Sequence, residues 1–226
     1  MKTYSNEILK EHTICSFPHG STVYCIKPTQ YSDIDVVTIV DNTLDFSEYE
    51  NKIYEVKSKT WCCEREMEVD TQYINEATFI EMVKNHHIIA LESLWLPDYC
   101  YTGKYDYNKY FELDKWKLRK TISSIVSNAW AKCHKKLTVE KDYDYYRGLK
   151  SLFHCLRLLC FGIQIAKYGE IVLYSEANHY WSDLWEKDVV PSHKWEDYKA
   201  KYQPELNRLK SEFVALCPKP EDYKKD

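Results

Sequence analysis

The chain has 226 residues, a formal net charge of −4 and a hydrophobic fraction of 44%. This length allows one large domain or two small ones, with a core that needs no disulfides. The nearly balanced charge argues against a protein whose whole surface coats nucleic acid, although a local basic surface stays compatible with it. No uninterrupted apolar run approaches the roughly 20 residues of a membrane span, and the polar first residues do not resemble a signal peptide. We therefore expect a cytoplasmic protein that does not contact a membrane.

Nine cysteines are spread along the chain, and none of them forms a Cys-x-x-Cys pair. A zinc ribbon is therefore not expected, because such sites use closely spaced cysteine pairs. An odd number of cysteines among apolar neighbours is typical of reduced core thiols in a cytosolic protein.

The first half of the chain has the pattern of an α/β unit. The clearest strand begins at Asp33, because the residues after Asp35 are β-branched and apolar on both faces. Asn75 is a predicted N-cap, and Pro97 is predicted to end a helix. The predicted elements are a helix at 4–12, a strand at 13–17 that stops at Pro18, a strand at 33–40, a helix at 46–58, a strand at 61–74, and helices at 76–84 and 86–95.

The second half of the chain carries apolar residues at helical spacing. It predicts helices at 114–136, 143–168, 175–186 and 195–216, with Gly169 as the C-cap of the second. The basic clusters at 119–120 and 134–136 are predicted to be solvated helix ends. We expect an α+β protein: a first domain at 1–112, with a small mixed β-sheet and flanking helices, and a C-terminal helical domain at 113–226.

Two aspartates, Asp33 and Asp35, lie one residue apart at the start of the predicted strand and follow the pair Gly20-Ser21. Alternate residues of a strand point to the same face, so both carboxylates aim at one point. Paired carboxylates bind divalent metal ions, and a glycine turn lets the backbone approach a phosphate closely. Each motif is common by itself, because aspartate often opens a strand and Gly-Ser often forms an ordinary turn.

The order His19-Gly20-Ser21, then Asp33-Ile34-Asp35, resembles the signature of the DNA polymerase β-like nucleotidyltransferase superfamily. Two later blocks resemble one branch of it, the stand-alone nucleotidyltransferases linked with RNA repair. These blocks lie at 68–94 and 150–159, and the likeness runs from about residue 14 to about residue 185. The family often has glycine or another small residue where this chain has Cys25.

The resemblance implies that residues 1–112 form the catalytic domain. It also implies metal-dependent transfer of a nucleoside monophosphate from a nucleoside triphosphate, such as ATP, to a hydroxyl. Charge grows on the phosphate oxygens in that reaction, and two Mg²⁺ ions about 4 Å apart usually neutralise it, with Mn²⁺ as a substitute. Asp33 and Asp35 are the expected ligands of both ions. Asp70 is the expected third carboxylate on a neighbouring strand, and Glu68 on the same face is its rival.

Five residues are expected to bind the nucleotide. The amides of Gly20 and Ser21, with the Ser21 hydroxyl, suit the β- and γ-phosphates. Lys150, His154 and Arg157 follow one helical face at i, i+4 and i+7, and their charges suit a triphosphate or RNA phosphate. A solvated helix face is the equally weighted alternative for these three.

Several conspicuous residues have a structural explanation as well as a functional one. His86 and His87 are predicted to be structural, because adjacent helical side chains point about 100° apart and cannot easily share an ion. Glu92 is a lone charge in an apolar helix, and it either orients a metal ligand or a basic residue or pairs with Arg157. The tyrosines at 99–110 either stack on a base or, more commonly for such residues, cover a domain junction.

Two rival functions remain open at the level of the sequence. The first is a nucleotide-binding or interaction module that keeps the fold without catalysis, and the intact Gly-Ser pair and both aspartates count against it. The second is a defence-type transferase that modifies a protein. The sequence does not determine the nucleotide, the oligomeric state, or whether the acceptor is an RNA end, a protein or a small molecule.

Overall fold

A computed structural model describes residues 2–24, 32–62 and 64–220. Cys25 and Cys63 lie outside the described residues. The chain divides into two compact units, Met1–Glu112 and Leu113–Asp226. A five-stranded mixed sheet with helices forms the first, and helices form the second, so the predicted α+β class is confirmed. The assignment of the first unit as a catalytic domain stays a prediction.

The first unit is built on a sheet with the strand order β3-β4-β2-β1-β5. Strands β2 and β4 are parallel, and the other neighbouring pairs are antiparallel. Its elements are α1 (Asn6–Glu11), β1 (Thr13–His19), β2 (Ile34–Val40), β3 (Ile53–Cys62), β4 (Arg65–Asn75), α2 (Glu76–Lys84), α3 (Ile88–Leu91) and β5 (Thr102–Gly103).

The two faces of this sheet bury different apolar clusters, because successive side chains of a strand alternate between them. On one face Val37 and Ile39 of β2 are buried, and the ring of Phe17 lies 5.9 Å from that of Phe79 in α2. On the other face the buried cluster consists of Leu9, Val40, Leu44 and Phe46. Asp35 shares the Val37 face, so it lies at the end of the α2-covered side of the sheet.

The predicted helix at 46–58 is wrong. The segment contains a 3-10 turn at Glu50–Lys52 and then β3, which pairs with β4 along its whole length. In β3, Tyr54 and Val56 alternate with charged residues, which is the pattern of a half-buried strand. The segment contains few apolar residues, so this alternation was not recognised. The segment 61–74, predicted as one strand, instead contains the end of β3 and most of β4. Glu64, which has φ 63°, lies between the two strands.

Three local predictions are corrected in detail. Strand β1 continues through Pro18. Among the described residues β5 pairs only with Cys15 and Ser16, so on that side of β1 no strand needs a backbone N–H from the proline. The predicted helix at 86–95 is reduced to the short α3. Asn75 occupies the N-cap of α2, but Asn42 Oδ1 accepts the Ala77 N–H while the Asn75 side chain binds other backbone carbonyls.

The second unit is helical, and α5 is its core. Its helices are α4 (Lys115–Thr138), α5 (Tyr145–Tyr168), α6 (Asn178–Trp181), which continues as a π-turn at Ser182–Glu186, and α7 (Trp195–Leu216). Gly169 ends α5 with φ 81°, as predicted. By length and composition alone α5 could cross a membrane, but 89% of its most apolar window is buried inside the protein. Such burial is typical of the core helix of a soluble domain.

Candidate metal and nucleotide site

Three half-buried carboxylates meet at one end of the β2–β4 pair. Asp33 immediately precedes β2, Asp35 lies in β2, and Asp70 lies in β4. In the parallel register Asp35 is the direct partner of Asp70, so both side chains project from the same face. One carboxylate oxygen from each residue lies within 4.8 Å of the other two. Close packing of three negative charges is unfavourable without a cation, so the arrangement suits a divalent metal ion.

The two carboxylate oxygens of Asp70 have different surroundings. Its Oδ2 accepts a hydrogen bond from Lys57 Nζ at 3.2 Å, and this contact raises the pKa of Lys57. Its Oδ1 is buried and has no hydrogen-bond partner among the described residues. A buried carboxylate oxygen normally has a partner, and a metal ion would provide one. The donor set, all carboxylate oxygens, is the set that Mg²⁺ and Mn²⁺ prefer.

Glu68, the rival for the third carboxylate, is exposed and does not belong to the group formed by Asp33, Asp35 and Asp70. It points to the same face as Asp70 but lies two residues earlier in β4, a displacement of about 6.6 Å along a strand. The structure therefore brings Asp70, and not Glu68, beside Asp35. Whether these carboxylates are catalytic stays a prediction.

The Gly-Ser turn lies directly against the Asp35 carboxylate. His19, the last residue of β1, is the cross-strand partner of Asp35, and a 3-10 turn follows at Gly20–Thr22. Gly20 has φ 65°, and a Cβ built on it would lie 2.4 Å from Asp35 Oδ2. Only glycine fits this position without displacing the carboxylate. The backbone of the turn is therefore close to the point where the three carboxylates meet.

Glu92 connects the two ends of this turn. Its carboxylate is buried, and its Oε2 accepts a hydrogen bond of 2.6 Å from the Tyr24 hydroxyl and lies 3.7 Å from His19 Nδ1. His19 precedes the turn and Tyr24 follows it. Sequence reasoning singled out Glu92 because it is a lone charge in an apolar segment, but it missed both of these partners. Tyr24 is fully buried, and no local sequence pattern links it to Glu92, 68 positions away.

Lys150, His154 and Arg157 do not form a uniform basic surface. Lys150 is exposed, His154 is half-buried and Arg157 is buried. The Arg157 Nη2 lies 2.9 Å from His154 Nδ1, and its guanidinium lies 5.5 Å from the ring centre of Phe153. Residues on most sides of α5 are buried. The three residues therefore differ in exposure although they follow one face of the helix. Their role in nucleotide binding stays a prediction.

The tyrosines and the paired histidines are mostly explained by packing. Tyr101 and Tyr105 stack with ring centres 4.0 Å apart, and both contact Phe17 of the sheet. His86 is fully buried and its ring lies 5.1 Å from that of Phe111. His87 accepts the Ile89 N–H at the start of α3, and burial, with the nearby charge of His19, lowers its pKa. Both histidines have structural contacts, but they lie between α2 and α3 and not, as predicted, on a helix.

Seven cysteines fall within the described residues, and none of these seven forms a disulfide. Five of them are buried. Burial raises the pKa of the Cys15, Cys155 and Cys160 thiols to about 12, so these groups stay protonated near neutral pH. The expectation of reduced core thiols agrees with this finding for the cysteines that the structure describes.

Comparisons with known proteins give little further information. The chain matches no protein-family profile and no curated protein. A solved structure described as a nucleotidyltransferase-like protein from Exiguobacterium sibiricum 255-15 aligns with 93% of this chain and 71% of its own length, at 10% sequence identity. The TM-score of that alignment is 0.28, which is too low to support an argument about fold or function. The functional interpretation therefore depends on the geometry of the site.

Proposed function

We propose that this protein is a nucleotidyltransferase that depends on Mg²⁺ or Mn²⁺. The observation that carries the proposal is the convergence of Asp33, Asp35 and Asp70 within 4.8 Å, beside a glycine turn that packs against one of the carboxylates. Paired strand carboxylates next to a glycine turn would provide both parts of a metal–triphosphate site, the metal ligands and the backbone amides. A solvated strand start does not explain why the third carboxylate comes from a different strand in direct register.

In the proposed reaction an acceptor hydroxyl loses its proton to solvent, and its oxygen forms a bond to the α-phosphorus of a nucleoside triphosphate. The bond from that phosphorus to the β-phosphate bridging oxygen breaks, and pyrophosphate leaves with the electron pair. Bound divalent metal ions would neutralise the phosphate oxygens and lower the pKa of the acceptor hydroxyl. Asp33 and Asp35 would hold these ions, and Asp70 would complete the ligand set on the acceptor side.

The nucleotide-binding part of the proposal rests on fewer observations. The amides of Gly20 and Ser21 would bind the β- and γ-phosphates, because the turn at Gly20–Thr22 adjoins the carboxylates. Lys150, His154 and Arg157 are proposed nucleotide-binding residues on the basis of their charge alone. The proposed acceptor is an RNA end, and a protein or a small molecule would correspond to the defence-type alternative. The proposed location is the cytoplasm.

Direct measurement of metal binding and of transfer tests the proposal. The four nucleoside triphosphates are incubated with the protein and Mg²⁺ or Mn²⁺, and pyrophosphate release is followed with RNA, protein and small-molecule acceptors. In parallel, Mn²⁺ binding is titrated by electron paramagnetic resonance. We expect Asp35→Asn to abolish release and to weaken Mn²⁺ binding by at least about tenfold, the effect of losing one strong ligand.

Glu68→Gln is the matched control, because it removes a carboxylate from the same face of β4 outside the group. It is expected to retain both activities. Mn²⁺ binding without transfer to any acceptor would favour the inactive nucleotide-binding module. Equal Mn²⁺ affinity in the wild type and Asp35→Asn would refute the metal site itself.

A further inference from the structure

Helix α4 concentrates positive charge in a chain that is acidic as a whole. It contains seven of the 31 lysine and arginine residues and none of the 35 aspartate and glutamate residues. The seven residues are Lys115, Lys117, Arg119, Lys120, Lys132, Lys135 and Lys136. Solvated helix ends explain each basic cluster separately, but they do not explain the absence of acidic residues along 24 positions.

The exposed side of α4 forms one continuous polar stripe, which we call the α4 face. Its residues follow the helical repeat on the side opposite the buried positions, from Leu118 to Leu137, that pack into the second unit. Lys117 and Lys135 mark its ends, about 27 Å apart at 1.5 Å per residue. The exposed residues of the α4 face are Lys117, Lys120, Ser124, Ser127, Asn128, Ala131, Lys132 and Lys135.

Only the last turn of α4, with Lys135 and Lys136, places positive charge where the helix dipole favours it. Its first turn contains no acidic residue and carries Lys115 and Lys117. The N-terminus of a helix is the positive end of its dipole, so lysines there are unfavourable. Without acidic residues, α4 also has no ion pairs between its own successive turns, and Lys135 pairs instead with Asp142, after the helix, at 2.9 Å. Helix stabilisation therefore does not account for the basic residues at the start and in the middle of α4, and a bound polyanion would.

We propose that the α4 face binds the sugar-phosphate backbone of a nucleic acid. Lysine, serine and asparagine side chains are the groups that commonly contact phosphate and sugar oxygens. The only apolar residue of the face is Ala131, whereas protein interfaces use large aromatic or apolar anchors and membrane-surface helices insert an apolar side. This absence of an anchor favours a nucleic acid over an acidic protein or an anionic membrane.

The inference deepens the proposed function, because it assigns the acceptor to the class of nucleic acids. It nevertheless rests on α4 alone and can fail independently. The contacts would be independent of sequence, since no base edge is read by lysine–phosphate pairs. Binding should then weaken steeply with salt as condensed counterions are released.

Binding of a fluorescent single-stranded RNA of about 20 nucleotides, a length that exceeds common single-strand site sizes, tests the inference. Fluorescence anisotropy of the full-length protein is recorded at several salt concentrations without nucleotide or divalent metal. Four lysine–phosphate contacts predict a slope of about −3 for log K against log salt. The variant with Lys117, Lys120, Lys132 and Lys135 all changed to Gln should bind at least about tenfold more weakly at low salt, with a slope near zero.

The control variant changes four exposed lysines elsewhere, Lys10, Lys84, Lys199 and Lys201, to Gln and should lose less than about threefold. Circular dichroism establishes that both variants are folded. Equal RNA affinity in the wild type and the α4 variant, or equal losses in the two variants, would overturn the inference. Binding to anionic phospholipid vesicles with no binding to RNA would also overturn it.

The same assay separates this inference from the proposed function. Asp35→Asn, which should not transfer nucleotides, is expected to bind RNA with unchanged affinity through the α4 face. RNA binding that depends on the α4 lysines, in a protein that transfers nothing, would support the inference and count against the proposed function. Transfer to a protein or small molecule with no RNA binding would refute the inference and leave the transferase proposal intact.

Discussion

Because Gly20 has no side chain, the turn that contains it can pack against the Asp35 carboxylate. The left-handed φ of 65° at Gly20 and the 2.4 Å between a built Cβ and Asp35 Oδ2 are two separate reasons for glycine. The first reason concerns the backbone, and the second concerns the carboxylate. They can be distinguished because Gly169 has a similar φ of 81° and open space around its Cβ position.

Gly20→Ala should displace the Asp35 carboxylate. We expect a loss of about 2–3 kcal/mol in the free energy of unfolding, because the collision adds to the backbone cost, and a loss of Mn²⁺ affinity. Gly169→Ala should lose only about 1 kcal/mol and keep its Mn²⁺ affinity. Urea denaturation and Mn²⁺ titration measure the two effects. Unchanged Mn²⁺ binding in Gly20→Ala would show that the turn does not constrain Asp35.

Glu92 illustrates which residue-level features can be predicted from the sequence. A charge within an apolar run indicates a buried polar group that needs partners. The identity of the partners depends on contacts across 68 positions to Tyr24, which no local pattern specifies. The same holds for Gly20 and Asp35, whose close approach requires the pairing of β1 with β2.

At the scale of elements, strong periodicity made α4, α5, α7 and β2 predictable. Strand β3 was missed because it is an edge strand whose outward residues, such as Glu55 and Lys57, are charged. Edge strands commonly carry charges, and the resulting pattern has little apolar periodicity. Asp70 was correctly expected on a neighbouring strand, but its register with Asp35 is set by the sheet as a whole.

Helix α7 contains an ion pair whose effect should depend on pH. Glu205 accepts two hydrogen bonds of 2.8 Å from Arg208 and one from the Tyr180 hydroxyl, and these contacts lower its pKa from 4.5 to about 2. A lowered pKa in the folded state stabilises the fold fully above the unfolded value. This stabilisation is lost as the pH falls from about 4.5 towards about 2.

Glu205→Gln should therefore be less stable than the wild type by about 1 kcal/mol near neutral pH, since the pair is partly exposed. The difference should shrink as the pH falls below the ordinary glutamate range. Urea midpoints measured from about pH 7 to about pH 3 test this expectation. Glu170→Gln, at an exposed position after α5, is the control and should show no such trend. A difference that is constant with pH would contradict the role assigned to the Glu205 charge.

At the scale of the whole molecule, the three carboxylates should favour metal binding and lower the stability of the metal-free protein. Without metal, Asp33, Asp35 and Asp70 repel one another across less than 4.8 Å. We expect Asp35→Asn to raise the melting temperature in the presence of a chelator by a few degrees, equivalent to about 1 kcal/mol of relieved repulsion. Calorimetry is the suitable measurement, because the two units can unfold in separate transitions.

Addition of Mn²⁺ should raise the melting temperature of the wild type above that of Asp35→Asn. Saturating metal stabilises the wild type by about 2.7 kcal/mol at a concentration 100 times the dissociation constant, whereas Asp35→Asn gains little. Glu68→Gln should follow the wild type under both conditions. A metal-free Asp35→Asn that melts below the wild type would show that the carboxylates are not a source of strain in the folded chain.

The parallel pairing of β2 with β4 also has a consequence for synthesis of the chain. Asp35 and Asp70 become neighbours only after the 34 intervening residues have been made and a separate hairpin partner, β3, has been placed beside β4. A nascent polypeptide that ends before β4 therefore lacks the complete ligand set. Uptake of the cation would then report that β2 and β4 have paired, a step that can precede the addition of β5 at the other edge of the sheet.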